Sequence, residues 1–374
     1  MPELSTQYIR EIAAITGFPK VTVHTPMDRA GKEVEQNRIR LKNAAAKASQ
    51  ELVRHGMAER DAEVFVAQVR SISEDYDRMQ HQIGGMSLFV NAAETRVIEL
   101  ASSLPEVVEV GDRFSIVELL RPALEDRDYA ILTLSRGGVG LYRASRYGAE
   151  LVELSDLPED LCYVLRYDQF EKSVQLHTSS AGGDATVHHG HGAGKDEHDR
   201  FITRFIEAVE PPVTAYVEHH ALPLVLIGTE ESVGYYRKRT NYRDLVEEER
   251  VVDPHTLSLD DLILLGWECM GREVEASRQR QIERFRAHDN TVRGIHAVLP
   301  AVAEGRAEAF FIDPESTLRG SFDPMHEEVV LAAQPEDGET NLLNLAATYA
   351  LEYETQIVLV SAADDMNAPA ATLY

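Results

Sequence analysis

The chain has 374 residues, which is enough for two or three domains with hydrophobic cores of their own. Apolar residues make up 44% and charged residues 27% of the sequence, as in an ordinary globular protein, and no window of roughly 18 apolar residues would span a membrane. The formal net charge of −26 argues against long-range attraction to nucleic acid and favours a protein partner or an enzyme.

The cysteine content and the first residues both indicate a cytoplasmic protein. Cys162 and Cys269 are the only cysteines and do not form a CxxC pair, which argues against a disulfide framework. The first six residues contain no Lys or Arg and so lack the basic start of a secretory signal peptide. We therefore expect a cytoplasmic chain without membrane contact.

The first part of the sequence alternates between strand and helix patterns. Leu41, Ala45 and Leu52 recur at helical spacing, and Gly56 is a typical helix stop. The predicted elements of this first domain, residues 1–125, are a strand at 20–24, helices at 37–55 and 59–70, and a hairpin of strands 86–90 and 95–100.

The central domain, predicted for residues 126–257, opens with a β-hairpin. Two apolar runs, 129–134 and 139–143, flank Ser135-Arg136-Gly137-Gly138, a typical turn sequence. Later in the domain we predict a strand at 173–177, a loop, an amphipathic helix with Asp196 as its N-cap, and a buried strand at 223–227.

The loop at residues 178–195 is rich in glycine and histidine, and long loops inside compact domains are usually functional or disordered. A P-loop is disfavoured because Asp196 stands where that motif needs Ser or Thr. A dinucleotide fingerprint is disfavoured because glycines occupy every second position from Gly190 to Gly194. The candidate site residues of this loop are Gly182, Gly183, His188, His189, Gly190, His191, Gly192, Gly194 and Lys195.

A metal site is an alternative interpretation of the same loop. Imidazole and carboxylate ligands are available from His188, His189, His191, His198, Asp196 and Asp199. A flexible loop is a poor cage for a metal ion, and no second ligand cluster is spaced to complete one. We therefore predict no metal and no other cofactor.

A basic and aromatic stretch follows the buried strand. Arginine beside tyrosine suits phosphate contact and base stacking, and the alternative is a solvated turn whose cations balance the acidic run at 247–249. The candidate RNA-binding residues are Arg237, Lys238, Arg239, Tyr242 and Arg243.

The last domain, predicted for residues 258–374, alternates between helix and strand, which implies a parallel or mixed sheet. Its first helix, at 259–286, is expected to be interrupted near Gly266 and Gly271. The remaining predicted elements are helices at 291–304 and 341–353, strands at 307–312 and 356–360, and a surface loop at 318–338.

Four segments together resemble the bacterial members of the archaeo-eukaryotic class-1 release factor and Pelota superfamily. They are NRIRLKN at 37–43, VHHGHGAGKDE at 187–197, PLVLIG at 223–228 and APAATLY at 368–374. The resemblance spans nearly the whole chain. It implies three α/β domains, of which the central one is RNase H-like with the long Gly/His loop and the last is similar to kink-turn-binding ribosomal proteins.

The chain departs from the release factors at the position that carries their chemistry. Those proteins have Gly-Gly-Gln, whose glutamine helps to place the water that cleaves peptidyl-tRNA. The nearest segments here are Gly182-Gly183-Asp184 and Gly192-Ala193-Gly194, and neither contains glutamine. Because the carboxylate of Asp184 has no amide donor, the resemblance implies binding without hydrolysis.

The resemblance therefore indicates a ribosome-associated factor that occupies the vacant A site in hibernation or rescue. The chain has no Asn-Ile-Lys-Ser segment for codon reading. The implied partners are the rRNA of the A site and the peptidyl-transferase centre, with a translational GTPase such as elongation factor Tu as a further partner. Two alternatives stay open: a peptidyl-tRNA hydrolase that uses a loop histidine as base, and a metal- or protein-binding module outside translation.

Overall fold

The computed structural model describes residues 4–28, 34–75, 78–79, 84–160, 193–333, 340–366 and 368–374. The chain forms two compact units. The first unit combines Met1–Arg127 with Arg278–Tyr374, and the second unit is Asp128–Ser277. Strands and helices are mixed in both units, so the α/β class expected from the sequence is confirmed. The division into three domains stays a prediction.

The N-terminal part of the first unit is an antiparallel sheet with helices. Its elements are α1 Thr6–Ala13, β1 Lys20–Met27, α2 Val34–Arg54, α3 Glu59–Glu74, β2 Gly84–Val90, β3 Thr95–Leu100, β4 Val107–Gly111 and α4 Leu120–Glu125. The strand order is β3-β2-β1-β4, and β1 pairs antiparallel with both β2 and β4. The two predicted helices and the predicted hairpin are confirmed. Leu41, Ala45 and Leu52 are buried on one side of α2, as their spacing predicts.

The second unit is built on a five-stranded sheet. Its elements are β5 Tyr129–Ser135, β6 Gly138–Ser145, β7 Gly148–Val152, α5 Ala193–His220, β8 Leu224–Gly228, α6 Glu230–Arg239, β9 Arg250–Val251 and α7 Leu259–Ala287, whose last turns from Arg278 belong to the first unit. The strand order is β7-β6-β5-β8-β9, and only β6 runs against its neighbours. This order confirms the RNase H-like sheet.

Helices cover both faces of that sheet, because β5 is apolar on both sides. Its residues Ala130 and Leu132 belong to the core that contains the buried stripe of α5. The alternate residues Tyr129 and Ile131 belong to the core that contains α7. The helix α7 is continuous, so the prediction that it is interrupted near Gly266 and Gly271 was wrong.

The C-terminal part of the first unit contains a mixed sheet and a small antiparallel sheet. Its elements are β10 Thr291–Arg293, α8 Ile295–Ala303, β11 Ala307–Ile312, β12 Arg319–Asp323, β13 Glu328–Leu331, β14 Thr340–Asn341, α9 Leu342–Glu352, β15 Gln356–Leu359 and β16 Ala370–Leu373. In the sheet β10-β16-β11-β15, β11 is parallel to β15 and antiparallel to β16, so the predicted mixed sheet is confirmed. The loop predicted at 318–338 contains the β12–β13 hairpin instead.

One hydrophobic core joins the two ends of the chain within the first unit. It contains Ile9 of α1, Phe114 after β4, Phe310 of β11 and Leu343 of α9. Beside it, the buried side chain of Asn344 bonds to the backbone of the segment at 114–117. The N-terminal and C-terminal parts therefore fold as one unit.

Candidate functional site

The predicted basic stretch lies at the carboxyl end of α6 and in the turn after it. Glu230 and Glu231 occupy the first turn of α6, and Arg237, Lys238 and Arg239 occupy its last turn. This arrangement matches the helix dipole, which favours anions at the amino end and cations at the carboxyl end. The positions of these charges are therefore explained by helix stability, whether or not the cations also bind a ligand.

Arg237 is held by contacts within its own unit. Its Nε donates to the carboxylate of Glu249 at 2.7 Å, and its guanidinium also donates to the carbonyls of Val246 and Glu247 at 3.0 and 3.1 Å. These bonds tie α6 to the segment before β9. The structure thus gives Arg237 a structural role in place of a free cationic surface.

Tyr242 is also used within the fold. Its hydroxyl donates to the carbonyl of Leu222 at 2.7 Å, which pins the turn after α6 against the end of α5. Tyr236, which precedes Arg237, is fully buried. Burial and, after it, the Glu210 carboxylate raise the pKa of its phenol. Tyr236 therefore belongs to the core, and no base can stack on it.

Lys238, Arg239 and Arg243 are exposed. The ammonium of Lys238 lies 5.8 Å from the ring centroid of Tyr235, within cation–π range. Among the described residues, Arg239 and Arg243 have neither an ion pair nor a side-chain hydrogen bond, so both guanidinium groups remain available to a ligand.

Two further histidines lie at the end of α5, against which the turn after α6 is held by Tyr242. His219 and His220 end α5 and are exposed, and the ring of His220 lies 4.5 Å from that of Tyr216. The Tyr242 hydroxyl contacts the carbonyls of residues 217 and 222, on either side of this pair. In the sequence, this pair is visible as two adjacent histidines just before the strand predicted at 223–227. We call Lys238, Arg239, Arg243, His219 and His220 the basic surface.

Of the residues predicted for the loop at 178–195, the structure describes only those from residue 193 onward. Gly194 and Lys195 lie in the first turn of α5, because the helix begins at Ala193. Asp196 therefore lies inside the helix, and its predicted role as N-cap was wrong. The other predicted loop residues fall outside the described ranges and stay predictions: Gly182, Gly183, His188, His189, Gly190, His191 and Gly192.

Metal clusters and membrane-spanning helices were two further possibilities for the described residues. Within them, no three His, Cys, Asp or Glu side chains are grouped to hold a metal ion. The metal interpretation of His188, His189 and His191 concerns residues beyond those ranges and stays open. No helix in the described part of the chain combines the length and the apolar character needed to cross a membrane.

The second unit matches a known family. Residues 129–271 match the model described as bacterial archaeo-eukaryotic release factor family 7. This part of the chain is therefore similar to the bacterial archaeo-eukaryotic release factors. The matched segment contains the whole RNase H-like sheet, α5, α6 and the basic surface, so the resemblance seen in the sequence is confirmed. The comparison with curated proteins gives no match.

Solved structures of release factors and Pelota proteins align with the chain over most of their length. The archaeal termination factor aRF1 is 13% identical, with 99% of this chain and 98% of that chain covered and a TM-score of 0.24. A ribosome-bound archaeal Pelota, described with ABCE1, is 10% identical, with 100% and 95% covered and a TM-score of 0.38. Dom34 of S. cerevisiae is 11% identical, with 77% and 72% covered and a TM-score of 0.36. These TM-scores are too low for the superpositions to support an argument.

Proposed function

We propose that this protein is a cytoplasmic translation factor that binds the ribosome at a vacant A site, in hibernation or rescue, without reading a codon. The observation that supports this proposal is the family match of residues 129–271, because that segment holds both the candidate loop and the basic surface. The translational GTPase and the peptidyl-transferase centre are further partners under the same proposal.

Electrostatics restricts how such a protein could bind RNA. A chain with a net charge of −26 is repelled by a polyanion at long range, so contact requires cations that are locally free. Arg239 and Arg243 meet that requirement and Arg237 does not. We therefore assign the phosphate contacts of the second unit to the basic surface.

The missing glutamine defines the chemistry of the proposal. Without the amide that helps to place the hydrolytic water, the loop that includes Lys195 would contact rRNA at the peptidyl-transferase centre without cleaving peptidyl-tRNA. The factor would then occupy the site and leave the ester intact.

Co-sedimentation with purified ribosomes tests the proposal. Wild-type protein should bind ribosomes with a vacant A site and should be displaced by A-site tRNA. The double variant Arg239→Glu/Arg243→Glu should bind about tenfold more weakly than the wild type. This difference in affinity should become smaller at high salt, because salt screens the phosphate contacts. The matched control is Lys42→Glu/Lys47→Glu, which makes the same charge change at two exposed positions of α2.

Three outcomes decide between the interpretations. Absence of wild-type protein from the ribosomal fraction overturns the proposal. Equal losses in both double variants would show that net charge, and not the basic surface, controls binding. A single-turnover release assay should give the uncatalysed rate, and release of peptide above that rate would favour a hydrolase.

A further inference from the structure

A cavity opens in the second unit where β5 ends. The face of the sheet that α7 covers is covered here by the short turn Pro254–Thr256, which lies between β9 and α7. The cavity has a volume of about 340 Å³, at the lower end of the range of small-molecule sites. It is lined by Thr133, Gly138, Val139, Gly140, Tyr142, Leu151, Pro254, His255, Leu257, Leu259 and Leu262.

The imidazole of His255 forms one wall and is held in place by the hairpin opposite. Its Nε2 lies 3.0 Å from the hydroxyl oxygen of Ser135. A Cβ atom on Gly137 would lie 2.9 Å from that nitrogen, and one on Gly138 would lie 3.0 Å from Cε1, so the ring approaches the turn only because both residues are glycine. Gly137 and Gly138 of the predicted turn therefore also leave the space that the imidazole of His255 occupies.

The hydrogen bonds of Ser135 define what the neutral form of His255 can offer. The Ser135 hydroxyl donates its only proton to the carbonyl of Gly138 at 3.2 Å. When it does so, it accepts from Nε2 of His255, and Nδ1 of that tautomer is an acceptor; in the other tautomer Nδ1 is a donor. The wall thus has a positioned ring whose second nitrogen accepts or donates according to the tautomer.

The other polar groups of the lining are neutral hydroxyls. Thr133 donates to the carbonyl of Gly140 at 3.1 Å and keeps lone pairs to accept a bond. Tyr142 contributes a phenol that both donates and accepts. Within the part of the chain that the structure describes, the lining contains no Asp, Glu, Lys or Arg, so these residues offer no counterion to a phosphate or carboxylate.

The apolar part of the lining continues onto the surface. The side chains of Leu151 and Leu259 are 58% and 47% exposed at the rim, and Leu257 and Leu262 lie behind them. A ligand that matches this lining is uncharged and largely apolar, with a few donors and acceptors for the hydroxyls and the imidazole. A nucleobase has these properties, and proteins recognise unstacked bases by such a combination of apolar contact and edge hydrogen bonds.

We propose that this cavity binds a single nucleobase. The base comes either from a free nucleoside or from an unstacked nucleotide of RNA, and only the RNA source rests on the proposed function. His255, Thr133 and Tyr142 contact the edge of the base, and the leucines cover its faces.

Methyl NMR of the full-length protein tests this proposal directly. With leucine and valine methyl groups labelled, adenosine, guanosine, cytidine and uridine are titrated separately, followed by short single-stranded RNAs of each base. A bound base should shift the methyl signals of Leu151, Leu257, Leu259 and Val139 through its ring current. Shifts with nucleosides identify a free ligand, and shifts with RNA alone identify an unstacked base.

Two matched variants on α7 locate the effect. Leu259→Trp places a large side chain at the rim and should weaken binding at least about tenfold by occupying the space of the base. Leu264→Trp makes the same change at a position that is 57% exposed and does not line the cavity, and it should bind as the wild type does. Absence of methyl shifts with every nucleoside and every RNA overturns the proposal, even if the protein binds ribosomes. Equal losses in the two variants also overturn it.

Discussion

Gly266 of α7 lies directly against Ile131 of β5. A Cβ atom on Gly266 would lie 2.6 Å from Cδ1 of Ile131 and 3.0 Å from the hydroxyl of Tyr129. The missing side chain therefore lets the helix approach the sheet more closely than any other residue would allow. Gly271, further along the same helix, has no atom within 4 Å of its Cβ position.

We predict opposite effects of alanine at these two glycines. Gly266→Ala should lower the free energy of unfolding by about 1–3 kcal/mol, because the added methyl overpacks a buried contact. Gly271→Ala should raise it by about 0.5–1 kcal/mol, because alanine is the better helix former and meets no obstacle. Urea unfolding of both variants measures the difference. Destabilisation by both changes, or by neither, would contradict the packing seen at Gly266.

This contrast shows one limit of the sequence prediction. Both glycines predicted an interruption of the helix, because an isolated glycine weakens helical structure. The structure instead contains one helix from Leu259 to Ala287. Gly266 is needed because Ile131 of β5 packs against it, whereas Gly271 faces no other residue. Ile131 is far from Gly266 in the sequence, so this contact could not be predicted. By contrast, the hairpin of β5 and β6 was predictable, because its two apolar runs and its turn are adjacent in the chain.

Other differences have the same cause. The segment at 318–338 is rich in proline and glutamate, yet Ser321 pairs with Val330 and Phe322 pairs with Val329 in the β12–β13 hairpin. Similarly, the sequence gives no reason to distinguish Arg237 from Arg239, since both belong to the same basic stretch. They differ in the structure because Glu249, twelve residues beyond Arg237, lies beside one and not the other.

We predict that replacing Arg237 destabilises the protein more than replacing Arg239, although both lie in the last turn of α6. Arg237→Glu should lower the free energy of unfolding by about 2–4 kcal/mol, because it places two carboxylates together and removes three hydrogen bonds. Arg239→Glu should lower it by no more than about 1 kcal/mol, since the exposed side chain has no partner among the described residues and the change opposes only the helix dipole. Thermal and urea unfolding measure both. A stable Arg237→Glu variant would contradict the structural role of Arg237.

We predict that Asn344 is needed to join the two ends of the first unit. Its Oδ1 accepts from the backbone N–H of Ile116 at 2.7 Å, and its Nδ2 donates to the carbonyl of Phe114 at 2.9 Å. Asn344→Leu should lower the free energy of unfolding by about 2–4 kcal/mol, because these buried backbone groups lose their partner. Asn43→Leu, at an exposed position of α2, is the control and should change it little. Equal stability of the two variants in urea would contradict this role.

Glu118 and His24 form a buried pair in the same unit. The carboxylate of Glu118 lies 3.3 Å from Nε2 of His24 and accepts from the hydroxyl of Ser115 at 2.9 Å. Burial by itself raises the pKa of Glu118, but the hydrogen bonds and charge interaction with His24, together with the bond from Ser115, outweigh it. The pKa of Glu118 is therefore lowered from its ordinary value.

A lowered carboxylate pKa predicts a loss of stability in acid. The contribution of Glu118 is fully present above the pKa of an unfolded glutamate, about 4.3, and is lost as the pH falls through the lower pKa of the folded state. Glu118→Gln should reduce the free energy of unfolding by about 2 kcal/mol at pH 7, and its difference from wild type should shrink below pH 4. Urea unfolding from pH 7 to pH 3 measures this convergence. Glu74→Gln, at an exposed position of α3, is the control. A constant difference between Glu118→Gln and wild type across this range would contradict the lowered pKa.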